Sequence, residues 1–457
     1  MDAASDLGVA ASRRGSSAFP AEVAGLVRSL SLAVVLQWAG AGAILPLLPL
    51  YVKAHGGSDA VVGGVMAAYF AAAFVFQYGS GRISDRLGRL PVLVAGLVVY
   101  AAGSLLFLLP APAAFYVAFR ALQGAGAGAA MVAALAMLSH AVPLSYRGRA
   151  SGRIYGAQLG GLAVGPVLGS IAGVGAMRWL FVAAGVAAVV ALAPVLVAGR
   201  AASALGDAEG PLAEGPPEAT FSGAVPTVRE ESSGRELGRR GPSTGRPWRG
   251  GWRLPRTTAA RAVWGALLAS AAIGVSTGVY ESCWTLLMTR HGAAEWEVGV
   301  SWTLFALPFA LMSRPAGWLA DHFDRRWLGV AALVWTLCFL ASYPFVPGVV
   351  PLMVLGIWES AGFSLALPAT QSLLGEGTPS ERHGHAQGLF AASQTGATAI
   401  AAAPAGGFFG VVPWLPFEVG AICCALIIAL VVLCWRGVPG RASRQRLPRV
   451  RPADDGS

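Results

Sequence analysis

Twelve apolar runs, separated by charged or Pro/Gly-rich turns, dominate this 457-residue chain. They lie near 24–51, 59–80, 91–110, 113–138, 149–173, 178–199, 261–288, 296–319, 328–346, 350–375, 385–409 and 413–435. A run of about 20 apolar residues crosses a bilayer as a helix, because a helix satisfies its own backbone groups where water is absent. Only 12% of the residues are charged, against about 25% in an average soluble domain. The 60 glycines suit helices that approach closely through small side chains. These runs define an all-α integral membrane protein. The first is too long for a signal-peptide core and reads as a retained span.

The runs fall into two related halves. Gly81-Arg82-Ile83-Ser84-Asp85-Arg86-Leu87-Gly88-Arg89 recurs as Gly317-Trp318-Leu319-Ala320-Asp321-His322-Phe323-Asp324-Arg325, an offset of 236 (317 − 81). The same offset relates His55-Gly56 to His291-Gly292, Val62-Gly63 to Val298-Gly299, and Gly152, Gln158 and Gly160 to Gly388, Gln394 and Gly396. Six spans return the chain to the side it started from, so the halves are parallel repeats. The expected organisation is a tail over 1–22, a six-helix bundle over 23–200, a linker over 201–258, a second bundle over 259–436 and a basic tail over 437–457. The linker is rich in Gly, Pro, Ser, Glu and Arg and is expected to be disordered. Trp248 and Trp252 within it are expected at the membrane interface.

Arginine placement orients the spans. With the N-terminus cytoplasmic, Arg82, Arg86, Arg89, Arg147, Arg149, Arg325, Arg326, Arg382 and the basic tail all fall inside. Lys53, Arg178 and Arg290 are left outside. That asymmetry obeys the positive-inside rule, so both termini are expected in the cytoplasm of a multi-pass plasma (cytoplasmic) membrane protein. The net charge of +10 is a topology signal, and no basic-aromatic module points to nucleic acid. The five cysteines lie in apolar stretches without metal-ligand spacing and read as packing residues. His55 and His291 sit at repeat-equivalent turns, which favours a role in the fold.

Four segments carry a family resemblance. The Gly81–Arg89 loop resembles motif A of the major facilitator superfamily, and Arg120-Ala-Leu-Gln123-Gly-Ala-Gly126 resembles its motif B. Gly161-Leu-Ala-Val-Gly165-Pro166-Val-Leu-Gly169 is similar to motif C of the antiporter branches. Gly40-Ala-Gly-Ala-Ile-Leu-Pro46-Leu-Leu-Pro49 is similar to the first-span motif of twelve-span drug:proton antiporters. The resemblance implies the twelve-helix major facilitator fold: two parallel-repeat bundles around a midplane cavity lined by spans one, four, seven and ten.

Each motif also has its own physical reading. Gly81 and Gly88 permit a tight turn, while Asp85 can pair with an arginine or a helix N-terminus and so latch one conformation. Arg86, Arg89, Asp321 and Arg325 complete the two copies; anchoring of topology is the alternative reading. Arg120 lies inside a span, where a charge is costly and functional by default, with Gln123 one turn away. Proton coupling or substrate contact is what the resemblance implies for it; a structural arginine held by carbonyls of the first span is the alternative. Gly161, Gly165 and Gly169 form a groove for a neighbouring helix, and Pro166, like Pro46 and Pro49, interrupts the helical ladder. Glu281 and Glu359 fall in the seventh and tenth spans. Buried carboxylates of this kind carry protons or attract cationic substrate; Glu359, tuned by Arg120, is the expected proton carrier, whereas Glu281 near an outer mouth would merely be hydrated.

The sequence thus points to a secondary active transporter, a proton-driven exporter of small amphipathic or drug-like molecules that functions as a monomer without a bound cofactor or metal. The alternatives are a facilitator or symporter for a sugar or organic acid and, remotely, a non-transporting receptor or scaffold. No Walker loop or nucleophile elbow supports ATP-driven transport or an enzyme.

Overall fold

The computed structural model describes residues 19–208, 257–379 and 383–438. Fourteen α-helices build the twelve spans: α1 (Ala21–Ile44), α2 (Leu48–Ala54), α3 (Asp59–Leu87), α4 (Arg89–Leu106), α5 (Tyr116–Ala141), α6 (Leu144–Ala172), α7 (Met177–Val190), α8 (Leu192–Ala208), α9 (Thr258–Arg290), α10 (Glu295–His322), α11 (Arg325–Ser342), α12 (Val349–Glu376), α13 (His383–Val411) and α14 (Leu415–Trp435).

Two spans expected as continuous are broken in two, and prolines supply the reason. Pro46 and Pro49 have no N–H for the carbonyls one turn back, so the first span stops at Ile44 and restarts at Leu48. Pro194 likewise withdraws the bond owed to Val190, where α7 gives way to α8. The α8 helix continues through Ala208, into the segment expected as linker. Residues 209–256, with Trp248 and Trp252, lie outside the described residues, as do 1–18, 380–382 (with Arg382) and 439–457.

The repeated charged segment is helical rather than a loop. Gly81–Leu87 forms the last turns of α3, and the turn itself is the single residue Gly88, at φ +91°. A side chain there would be strained. The second copy turns differently: Asp324 keeps a negative φ and caps α11 by accepting a hydrogen bond from the Arg326 N–H at 3.1 Å. The paired His-Gly sequences are also stop signals. His55 Nδ1 lies 2.9 Å from the Tyr51 carbonyl and His291 Nδ1 2.9 Å from that of Leu287. Gly56 and Gly292 follow in left-handed conformations.

Ten spans are long and apolar enough to cross a membrane on composition alone; α10 and α13 complete the twelve. Large apolar side chains such as Ile171, Leu311, Ile400 and Leu426 face outward, which suits a lipid surround. Exposed tryptophans gather near both helix ends, Trp179, Trp296 and Trp414 at one and Trp264, Trp318 and Trp327 at the other, as interfacial belts do.

Packing repeats the sequence duplication. Within the first half α1 lies on α6 and on α7–α8, and α5 on α3 and α4; within the second, α9 lies on α13 and α14, and α12 on α10 and α11. The halves meet along α3–α13 and α6–α10, seams exchanged by the repeat. At the end away from the chain termini, here the distal end, one apolar core joins both halves: Ile44, Tyr51, Phe107 and Phe181 with Cys283, Leu287, Val298 and Phe409. At the opposite, terminal end the cores are separate. One holds Leu26, Leu93, Leu138 and Val195, the others Ala269, Leu333, Leu373 and Phe390. Positions Gly152 and Gly156 on α6 and the repeat-equivalent Gly388 on α13 face open space there. The halves share one apolar core at the distal end and hold separate cores at the terminal end.

Candidate functional site

Polar groups in an apolar bundle must find one another, and two buried clusters do so. The first is on α5. Arg120, 2% exposed, donates from Nη1 to Gln123 Oε1 at 2.9 Å, and Gln123 Nε2 donates to Ser104 Oγ at 2.9 Å. Ser104 in turn donates to the Tyr100 carbonyl. The guanidinium lies 4.3 Å over the ring of Tyr69 on α3, a cation–π contact strengthened by desolvation. The alternative of an arginine held by first-span carbonyls is therefore not what the structure displays. Arg120 Nε has no partner among the described residues.

The second cluster surrounds Glu359 on α12. Its two oxygens accept from the hydroxyls of Tyr280 (2.6 Å) and Tyr343 (2.6 Å). Trp284 packs edge-on against both rings and donates to Ser301 Oγ. Glu359 is equivalent to Gln123 at the 236 offset, and Tyr343 to Phe107. Both halves thus tie a polar residue of the central helix to the end of the preceding span.

Glu281 differs from both. It is buried at 9% exposure on α9, and its Oε2 has no partner among the described residues. Arg120 Nε and Glu281 Oε2, one from each half, are thus both buried without a hydrogen-bond partner among the described residues.

The glycine motifs form one contact. A Cβ at Gly169 would overlap the Ala43 carbonyl, and one at Gly165 would press on the main chain of Ala39 and Ala43. Gly42 faces Pro166 from the other side. The first-span and fifth-span motifs are thus the two faces of the α1–α6 packing. In the charged repeat, Arg86 is exposed and Arg325 pairs with Glu376 at 2.6 Å. The side chains of Asp85, Asp321 and Arg314 lie outside the described residues. Tyr69, Ser104, Tyr280 and Tyr343 are site residues that sequence reasoning missed. Tyr280, next to Glu281, was the one with a local signal.

The sequence model of the Major Facilitator Superfamily matches residues 30–291 and again 266–453. The chain belongs to the Major Facilitator Superfamily. The doubled match agrees with the parallel halves seen in the packing. The chain is 36% identical over 151 residues to the inner membrane transport protein YajR of Escherichia coli, covering 32% of this chain and 33% of that one. It is 28% identical over 165 residues to multidrug resistance protein 2 of Bacillus subtilis (36% and 41% covered). Against a chloramphenicol resistance protein of Pseudomonas aeruginosa it is 30% identical over 154 residues (33% and 36%). These matches span only about a third to two fifths of each relative's length. By fold, the chain superposes on a D-xylose–proton symporter with TM-score 0.66 at 15% identity, covering 92% of this chain and 98% of that one. For the nucleoside transporter NupG the score is 0.63 at 13% identity, covering 90% and 100%.

Proposed function

We propose that this chain is a secondary active transporter that exports small amphipathic or drug-like molecules in exchange for protons. The observation that carries the reading is the pair Arg120 and Glu281: two buried, incompletely bonded charges on opposite halves of a two-bundle membrane fold. A buried charge is costly in the membrane and is retained where it serves transport. Because Arg120 and Glu281 lie on opposite halves, movement of one bundle against the other changes the environment of Glu281, which is the coupling an exchanger needs. Glu359, with both oxygens satisfied by its own half, is assigned as an anchor of the α9–α12 packing in this conformation.

Arginine asymmetry favours a cytoplasmic terminal end. The conformation is then open inward and closed outward, ready to take substrate from the cell. One pH unit across the membrane is worth about 1.4 kcal/mol per proton, enough for a tenfold substrate gradient. Export is favoured by the motif C and first-span resemblance and by the resistance proteins among the relatives. A substrate panel presented to inverted vesicles, with and without a proton gradient, tests the reading. Gradient-driven uptake of amphipathic compounds supports it. Uptake confined to a sugar or an organic acid, or none with any compound, overturns it.

A further inference from the structure

Three hydrogen bonds cross between the halves in the distal part of the molecule, and they share a pattern. Thr285 Oγ1 on α9 donates to the Pro46 carbonyl at 2.8 Å, and Thr303 Oγ1 on α10 donates to the Ala163 carbonyl at 2.7 Å. Glu295 Oε2, in the first turn of α10, accepts from the Val174 N–H at 2.7 Å. In each case the second half supplies a side chain and the first half a main-chain atom.

Those main-chain atoms lie at or beside interruptions of first-half helices. The Pro46 carbonyl sits in the gap between α1 and α2. Ala163 follows Leu162, whose carbonyl loses its helical donor at Pro166. Val174 opens a 3-10 turn after Gly173, at φ +79°, where the first N–H groups lack helical acceptors.

We propose that these three bonds are a one-sided gate on the distal mouth. Thr285, Thr303 and Glu295 of the second half clasp main-chain groups at or beside the breaks in the first half, and distal opening releases all three together. The proposal rests on reading the chain as an alternating-access transporter, but its test needs no substrate. The gate is insensitive to the side chains at Ala163 and Val174, because their identity does not alter the main-chain atoms clasped. It belongs to the closed distal mouth alone, so it biases the equilibrium between conformations without touching Arg120 or Glu281.

Native Cys283 is the reporter. It is fully buried in the distal core shared by both halves. In full-length protein with Cys338, Cys423, Cys424 and Cys434 replaced by alanine, a membrane-impermeant maleimide is applied from the distal side. Thr285→Val and Thr303→Val keep the side-chain volume and remove the donor. Each is expected to raise Cys283 labelling about 2- to 12-fold, the worth of one net hydrogen bond. Combination with Glu295→Ala is expected to raise it at least about 10-fold. A second reporter, Gly156→Cys in a Cys283→Ala background with the maleimide applied from the terminal side, is expected to label more slowly in the same variants. Val174→Ala retains the N–H and is expected to change neither rate. Unchanged Cys283 labelling in the triple variant overturns the gate. Faster labelling at both reporters signals loss of fold rather than a shifted equilibrium and also overturns it. A Val174→Ala effect as large as the threonine variants overturns the one-sided assignment.

Discussion

Gly63 on α3 is where the closed distal mouth is most easily pried apart. A Cβ added there would sit 2.9 Å from the carbonyls of Ala402 and Ala403 and 2.9 Å from the Gly406 nitrogen, all main chain of α13 in the other half. Main-chain atoms cannot rotate aside as a side-chain tip can, so Gly63→Ala is relieved by separating α3 from α13. Overpacking of this kind costs about 1–3 kcal/mol. A distal-open conformation parts the two helices and escapes the cost, so the population ratio shifts by about 5-fold to about 150-fold toward distal-open. The repeat-equivalent Gly299 faces the Pro166 carbonyl and the Ser170 side chain across the other seam, so Gly299→Ala acts in the same direction. Spin labels at exposed distal positions, Gly175→Cys on the first half and Trp296→Cys on the second, report the separation by pulsed electron resonance in a background free of other cysteines. The expected result is growth of a longer-distance population in both alanine variants. A distance distribution identical to the parent, in protein that stays monodisperse, refutes the argument that these glycines set the closed state.

Further tests follow from the other contacts. Glu359→Ala leaves the Tyr280 and Tyr343 hydroxyls unpartnered in an apolar cluster and is expected to cost about 2–5 kcal/mol. Glu359→Gln, which keeps one acceptor, is expected to cost less; equal thermal unfolding of the two variants would count against the clamp. Asp324→Ala removes the cap of α11 and is expected to cost about 0.5–2 kcal/mol, read by the same unfolding assay. Hydrogen bonds from Arg326 hold the Asp324 carboxyl below the usual carboxylate range. The stabilisation is therefore complete above the unfolded-state value and lost as pH falls through the lowered one. The variant and its parent should converge in stability under acid conditions, and a constant difference across pH contradicts the pairing.

The architecture was legible because membrane burial writes itself in long apolar runs, and duplication writes itself in a constant offset. The 236-residue offset that pairs Val62-Gly63 with Val298-Gly299 marks the two distal seams, although their packing role needed coordinates. The charged repeat was visible, but not that it is helical up to one residue: Gly88 reads as a loop signal, while Ile83 and Leu87 continue α3. Glu359 and Glu281 looked alike in sequence, because each is a lone carboxylate in an apolar span. Only Tyr343, 16 residues from Glu359, and Arg120, in the opposite half, separate an anchored carboxylate from an incompletely bonded one. The gate was illegible for a related reason. Its first-half atoms are main chain, and the local sequence shows the breaks but not what fills them.

The central claim is that Glu281, opposite Arg120, couples proton movement to transport. Reconstituted protein, loaded with a substrate found in the panel, tests it by comparing gradient-driven accumulation with exchange of labelled for unlabelled substrate. The account predicts that Glu281→Gln abolishes accumulation driven by the pH gradient while exchange persists. Accumulation by Glu281→Gln that still follows the imposed gradient as in the parent contradicts it.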